Sequence, residues 1–341
     1  MLPRIKYRSQ SHNAPFGTKI RRTIVVCGAR VESGCMNRSP AISAPGSMAA
    51  FALLMFLLGL CVPQASAQAW HSGKVRPTMT VYSTLDGSYS SSGSVIQMSN
   101  DVGYNFSPLL GMDAVVPVYF VLPPAQKSAF SSATTGIGNF AVDGRLSLSL
   151  LVVDYQPTAT IAFPTGSATK GFSTGTVTYD IDNHFERDLG LITPFLDIDV
   201  GNSLNNGSRP GHAKVQRPYL TLGKVAEFTV GPQIQLFDRW SVSGDVYQVV
   251  PWGTQMIYSR ILRPGSSGAG GRHNRVFEIA QRTVGGAKLV SDDGYDASVE
   301  FSPTRYLDLT AAFDRSIHYA LNTLTFSAGF NLTEIFSRNR E

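Results

Sequence analysis

Asp180, Asp182, His184 and Glu186 occupy every second position of one short stretch. On an extended chain that spacing brings all four side chains to one face. An imidazole among carboxylates could serve as a base or hold a metal ion, but the simpler expectation is a histidine hydrogen-bonded to a neighbouring acid. Asp143, Asp154, Asp197 and Asp199 stand at the same kind of spacing elsewhere, with Arg145 the clear cation beside them. A second group of cations, Arg260, Arg263, Arg272, Arg275, Arg282 and Lys288, lies in the segment 251–293 around the hinge GSSGAGG at 265–271. SDDGYD at 291–296 has the oxygen density of a calcium site but lacks the twelve-residue loop. GAGG is followed by neither a Lys-Ser/Thr pair nor a helix pattern, and no G-x-S-x-G occurs beyond residue 67. We therefore assign no catalytic residue, no metal site and no cofactor, and expect a protein that is not an enzyme.

The elements that must carry these residues are strands. In GNFAVDGRLSLSLLVVDYQPTATIAFPTG, residues 138–166, apolar side chains fall on even numbers up to Leu150 and on odd ones from Val153. Strict alternation means extended chain with one apolar and one polar face. A spanning strand needs only about 9–11 residues, so the stretch must double back, and the change of phase marks a hairpin near Leu150–Leu151. The pattern recurs in twelve segments: 77–86, 94–106, 111–121, 137–149, 152–163, 174–186, 191–200, 218–236, 240–250, 294–302, 306–315 and 322–332. Short connections at 107–110, 150–151, 187–190, 237–239 and 303–305 alternate with longer ones at 87–93, 122–136, 164–173, 201–217, 251–293 and 316–321. The expected fold is all-β: an antiparallel up-and-down transmembrane barrel of about twelve strands, with short periplasmic turns and long extracellular loops.

Alternation alone does not say which face is inside. Trp240 and Trp252 share the apolar parity and are 12 residues apart, about 28 Å along the membrane normal for a strand tilted ~45°. Aromatic girdles flank a band of about that height. Lysine is nearly absent from the strands, Lys224 being the main exception, whereas soluble β-proteins place it on exposed edges. With the apolar rows toward lipid, fifteen acids line the lumen: Asp101, Asp113, Asp143, Asp154, Asp180, Asp182, Glu186, Asp197, Asp199, Glu227, Asp245, Asp296, Glu300, Asp308 and Asp314. Such a lining must be wet or matched by cations. One reading folds part of 251–293 into the barrel, its arginines pairing with lumen carboxylates as a constriction; the other turns them outward toward lipopolysaccharide or water. An acidic lining left unneutralised favours cations.

The N-terminal part reads as a leader. Residues 1–47 are basic and without pattern, as an over-called start or a disordered extension would be, and Met1, Met36 and Met48 compete as the start. Residues 48–67 hold the apolar run AAFALLMFLLGLCV followed by Ala65-Ser66-Ala67, the pattern of a cleaved signal peptide. The run is too short for an ordinary membrane-spanning helix. Residues 1–67 carry 8 of the 29 Lys plus Arg, 1 of the 24 acids, and all three cysteines, Cys27, Cys35 and Cys61. The barrel, 68–341, is then near neutral and cysteine-free, which removes nucleic acid as a partner and leaves no disulfide or thiolate chemistry.

GIGNFAVDGRLSL at 136–148, FPTG at 163–166 and strand–turn–strand units such as VGPQIQLFDRWSVSGDVY resemble the outer-membrane family named for the phenol-degradation meta-pathway (MetA-type), over roughly residues 94–332. Asn139 stands where that family carries Asp, and Phe330 or Phe336 stands in for a terminal aromatic. The resemblance implies a transporter barrel that passes small, often hydrophobic or aromatic, molecules. It transfers no catalytic residue. The expected surroundings are a bilayer with lipopolysaccharide in the bacterial outer membrane, barrel-assembly machinery and a small-molecule solute. A structural or adhesive barrel whose lumen conducts nothing is the alternative.

Overall fold

The computed structural model describes residues 78–124, 133–150, 152–203, 214–262 and 275–333. The leader at 1–47, the signal segment at 48–67, Arg263, Arg272 and Phe336 lie outside the described residues. Each of the twelve expected segments holds a strand, but 152–153 and 174–177 lie ahead of the strands in their segments, and 138–139, 147 and 223–224 interrupt the segments they fall in. The wall consists of β1 (Thr78–Ser90), β2 (Gly93–Asn105), β3 (Leu110–Leu122), β4 (Thr134–Ile137), β5 (Phe140–Leu146), β6 (Leu148–Ser149), β7 (Asp154–Phe163), β8 (Thr178–Glu186) and β9 (Ile192–Gly201). It continues with β11 (Val225–Phe237), β12 (Trp240–Pro251), β15 (Asp292–Thr304), β16 (Leu307–Ser316) and β17 (Leu321–Asn331). Because β4, β5 and β6 are pieces of one interrupted strand, the wall is a ring of twelve antiparallel strands. The ring closes where β1 meets β17, from Tyr82↔Asn331 to Ser90↔Thr323.

The faces sort as the pattern requires. Leu85, Met98, Val116, Phe120, Ile161, Ile181, Phe228, Val299 and Phe326 are exposed on the outside, while Asp86, Gln97, Asp180, Asp197, Asp199, Asp314 and Thr325 are buried on the inside. Trp240 and Trp252 are exposed at the two ends of β12. A belt of exposed apolar side chains around a closed ring, with acids inside, is the inverse of a water-soluble barrel and matches a lipid-facing surface.

The hairpin in residues 138–166 turns slightly later than expected: Leu150 N donates to Val153 O at 2.9 Å, and Ser149 opposes Asp154. Two tight turns, at 91–92 and 317–320, stand where longer loops were expected. The expected strand 218–236 is two. Gly223, with φ +149° and Gln255 where a Cβ would sit, ends β10 (Tyr219–Leu222) before β11 begins. β10 joins β13 (Gln255–Ser259) and β14 (Arg282–Gly285) in a separate three-stranded sheet built wholly from the two longest connections.

Two of the motifs behind the family resemblance, GIGN and FPTG, meet in space. Pairing runs Val118↔Ile137 above and Val115↔Ala141 below, so one extra residue is inserted at Gly138–Asn139, a bulge. Gly138 fits only without a side chain, since a Cβ there would lie 2.5 Å from the Tyr119 ring and 2.8 Å from Pro117. Thr165 of FPTG closes the bulge. Its hydroxyl donates to Gly138 O at 3.0 Å and accepts from Phe140 N at 2.7 Å.

Candidate functional site: the lumen and its inserted loops

Strand register places the lumen acids in rows. Asp182, Asp199 and Glu227 stand directly opposite one another across β8, β9 and β11. Asp245, Asp296 and Asp314 do the same across β12, β15 and β16. Asp180 lies within hydrogen-bonding reach of Asp199. Asp143 opposes Asp113, which Arg145 engages at 3.5 Å while also donating to Asn105 Oδ1 at 3.2 Å. Asp154 opposes Glu186 near the short-turn rim. His184 is held between two acids, with Nδ1 2.5 Å from Asp197 Oδ1 and Nε2 3.3 Å from Glu186 Oε2. No grouping of His, Cys, Asp and Glu among the described residues has the form of a metal site. Like charges at such spacing repel, so water or cations must offset them.

Those cations arrive on the loops. Lys214, just before β10, exerts its charge on Asp86, Asp143 and Asp180, which belong to three separate strands. Arg217 reaches the opposite wall, 3.8 Å from Asp292 Oδ2, 3.4 Å from the Tyr219 hydroxyl, and 5.6 Å from the Tyr247 ring centre. Desolvation would weaken its charge, yet the surrounding tyrosines and acids hold the Arg217 guanidinium firmly protonated. Asp292 is the anchor: its carboxylate also accepts from Ser316 Oγ at 2.8 Å and from the His318 and Asp293 amides. The oxygen-rich SDDGYD therefore serves the loop from its second residue.

The arginines of 251–293 behave differently from one another. Arg260 is buried, donates to Gly171 O and Arg217 O, and lies 4.3 Å from the Tyr119 ring centre; burial pulls its guanidinium below the usual arginine range. Arg275 donates to Ser91, Ser92, Tyr319 O, Ala320 O and the fully buried Glu278. Arg282 is exposed beside Met256 and Tyr258. The described members of the set thus build the inserted lid through carbonyls, ring faces and Glu278, while Lys214 and Arg217 face the acids of the wall. Sequence reading passed over these two. The available signal was the alternation of Lys214 and Gln216 with Val215 ahead of the apolar Tyr219–Leu222 run.

Apolar packing fixes the lid. Tyr219, Ile257, Phe277, Val290 and Tyr319 pack onto Val225, Tyr247, Val249 and Leu321 of the wall, and Phe172 and Ile261 pack onto Val95, Tyr119 and Val121. Phe172 stacks on Tyr119 with ring centres 5.5 Å apart. Beside the second cluster, against Tyr119 and Phe172, remains a small cavity of about 70 Å³ with Lys214 in its lining.

A closed ring with a lipid-facing belt, an acidic interior and an inserted lid defines a transmembrane β-barrel. Solved structures of similar form include the COG4313 outer membrane channel from Pseudomonas putida F1, at 10% identity and TM-score 0.44, covering 78% of this chain and 99% of that one. The KdgM porin gives 7% and 0.43 over 74% and 99%, and a NanC porin 7% and 0.41 over 73% and 99%. No protein-family model and no curated protein matches the chain.

Proposed function

We propose that the chain is a passive channel of the bacterial outer membrane, for small molecules, with a lumen that prefers cations and is narrowed by its own loops. The observation that carries this is the pairing of acid rows on the wall with Lys214 and Arg217 delivered from a loop. Buried carboxylates in such number require water or counter-charge, and a few loop cations leave the interior acidic. The exposed apolar belt supports the bilayer setting. Passage of hydrophobic or aromatic molecules is the finer form of the reading, and it has the support of the motif resemblance alone. Planar-bilayer recording of the pure protein in a KCl gradient tests the channel. A reversal potential of cation-selective sign is expected; anion selectivity overturns the lumen assignment.

The two packed clusters favour a second reading, a structural or adhesive barrel closed at its mouth. Complete absence of conductance in the same recordings selects it.

A further inference from the structure

A second cavity, of about 50 Å³, shares Tyr119 and Lys214 with the first. Lys214, Arg217 and Arg260 all line it, and among the described residues no acid does. The rest of the lumen is crowded with carboxylates, so three cations around one small space reverse the local rule. Like charges gathered there repel one another, and an anion placed between them replaces that repulsion with attraction.

Two of the three cations have donors to spare. The Lys214 ammonium makes no hydrogen bond or ion pair among the described residues; Asp86, Asp143 and Asp180 feel its field, but none of them lines this cavity. Arg217 spends one nitrogen, Nη1, on the Tyr219 hydroxyl at 3.4 Å and on Asp292 at 3.8 Å. That leaves the edge formed by Nε and Nη2, a pair of parallel N–H donors that fits the two oxygens of a carboxylate. Both residues keep accessible surface, 15% of the side chain in Arg217. Arg260 differs: buried, and held by the carbonyls of Gly171 and Arg217 and by the Tyr119 ring, it supplies a stationary charge. The volume takes roughly three or four water molecules, which is room for a carboxylate and a short stub of carbon, with Val215 and Leu220 as its apolar neighbours.

We propose that this cavity is a binding subsite for small monocarboxylates, the carboxylate taking the free edge of Arg217 and the ammonium of Lys214. It rests on the reading of the chain as a channel for small molecules, and adds to a cation-favouring wall one place in the lid that holds an anion. A halide meets the charge but not the fork, and a neutral amide meets the fork without the charge.

Calorimetric titration of the full chain in non-ionic detergent and chloride-free buffer, with acetate as the probe, tests this separately from conductance. Saturable binding is expected, with chloride and acetamide each at least about tenfold weaker. Lys214→Gln should weaken acetate about tenfold, and so should Arg217→Lys, which keeps the charge and loses the fork. Arg282→Gln, which removes a lid cation outside the cavity, should leave the affinity unchanged. Lys214→Gln carries the test, since that ammonium holds no part of the lid together; heat-modifiable gel migration verifies its barrel. Equal binding of chloride or acetamide, an equal loss in Arg282→Gln, or unchanged affinity in Lys214→Gln overturns the proposal. Conductance without acetate binding sinks this inference and leaves the channel standing; acetate binding by a protein that conducts nothing does the reverse.

Discussion

Arg275 holds more of the lid than any other single side chain described. It donates to two backbone carbonyls, two serines and Glu278, whose side chain has no exposure. Removing one partner of a buried pair strands the other charge, at a cost of about 3 kcal/mol or more. Arg275→Ala should therefore release the lid and speed protease cleavage within 284–291, and the double variant with Glu278→Ala should lose less than the two single effects combined. Tyr219 gives a pH handle outside the membrane strands. Burial pushes its hydroxyl up to about 12, with Arg217 pulling the other way. The folded value lies above the ordinary 10, so this stabilisation is complete below pH 10 and is lost as pH rises through 12. The lid should loosen on that alkaline side, and Tyr219→Phe should loosen it less, read by the same protease assay across pH.

At the level of elements, the wall was legible and the lid was not. Alternation with period two marks the long strands of the wall and sorts each into two faces, which the Trp240–Trp252 spacing and the scarcity of lysine then assign to lipid and lumen. β10, β13 and β14 are 4, 5 and 4 residues long, too short for a period to register against loop composition. Their partners are far apart in sequence, so nothing local announces the pairing. The same limit hid the role of Lys214, whose charge matters through acids on β1, β5 and β8. The rows Asp182–Asp199–Glu227 and Asp245–Asp296–Asp314 needed register, which parity leaves open. Lys214→Gln should raise the cation-to-anion permeability ratio about threefold, the factor expected of somewhat under 1 kcal/mol in a hydrated pore. An unchanged ratio would place that ammonium outside the ion path.

For the whole molecule, the decisive property is that the ring is turned inside out relative to a soluble one. Val116 on β3 is exposed toward lipid while its neighbour Val115 lines the cavity. Val116→Lys should cost about 2–4 kcal/mol if the site lies near the bilayer midplane, measured as a lowered refolding midpoint in liposomes. Val115→Lys, one position along, should cost much less and shift conductance instead. The ring itself closes by joining its first and last strands, β1 and β17.

That seam and Arg275 belong together. The guanidinium reaches Ser91 and Ser92 in the turn of the first hairpin and the carbonyls of Tyr319 and Ala320 in the turn of the last one. These two docking points come from opposite ends of the folding polypeptide and become neighbours only once the cylinder is shut. A fully seated lid is therefore a sign of finished assembly: a cylinder still gaping at its join offers this arginine half a socket.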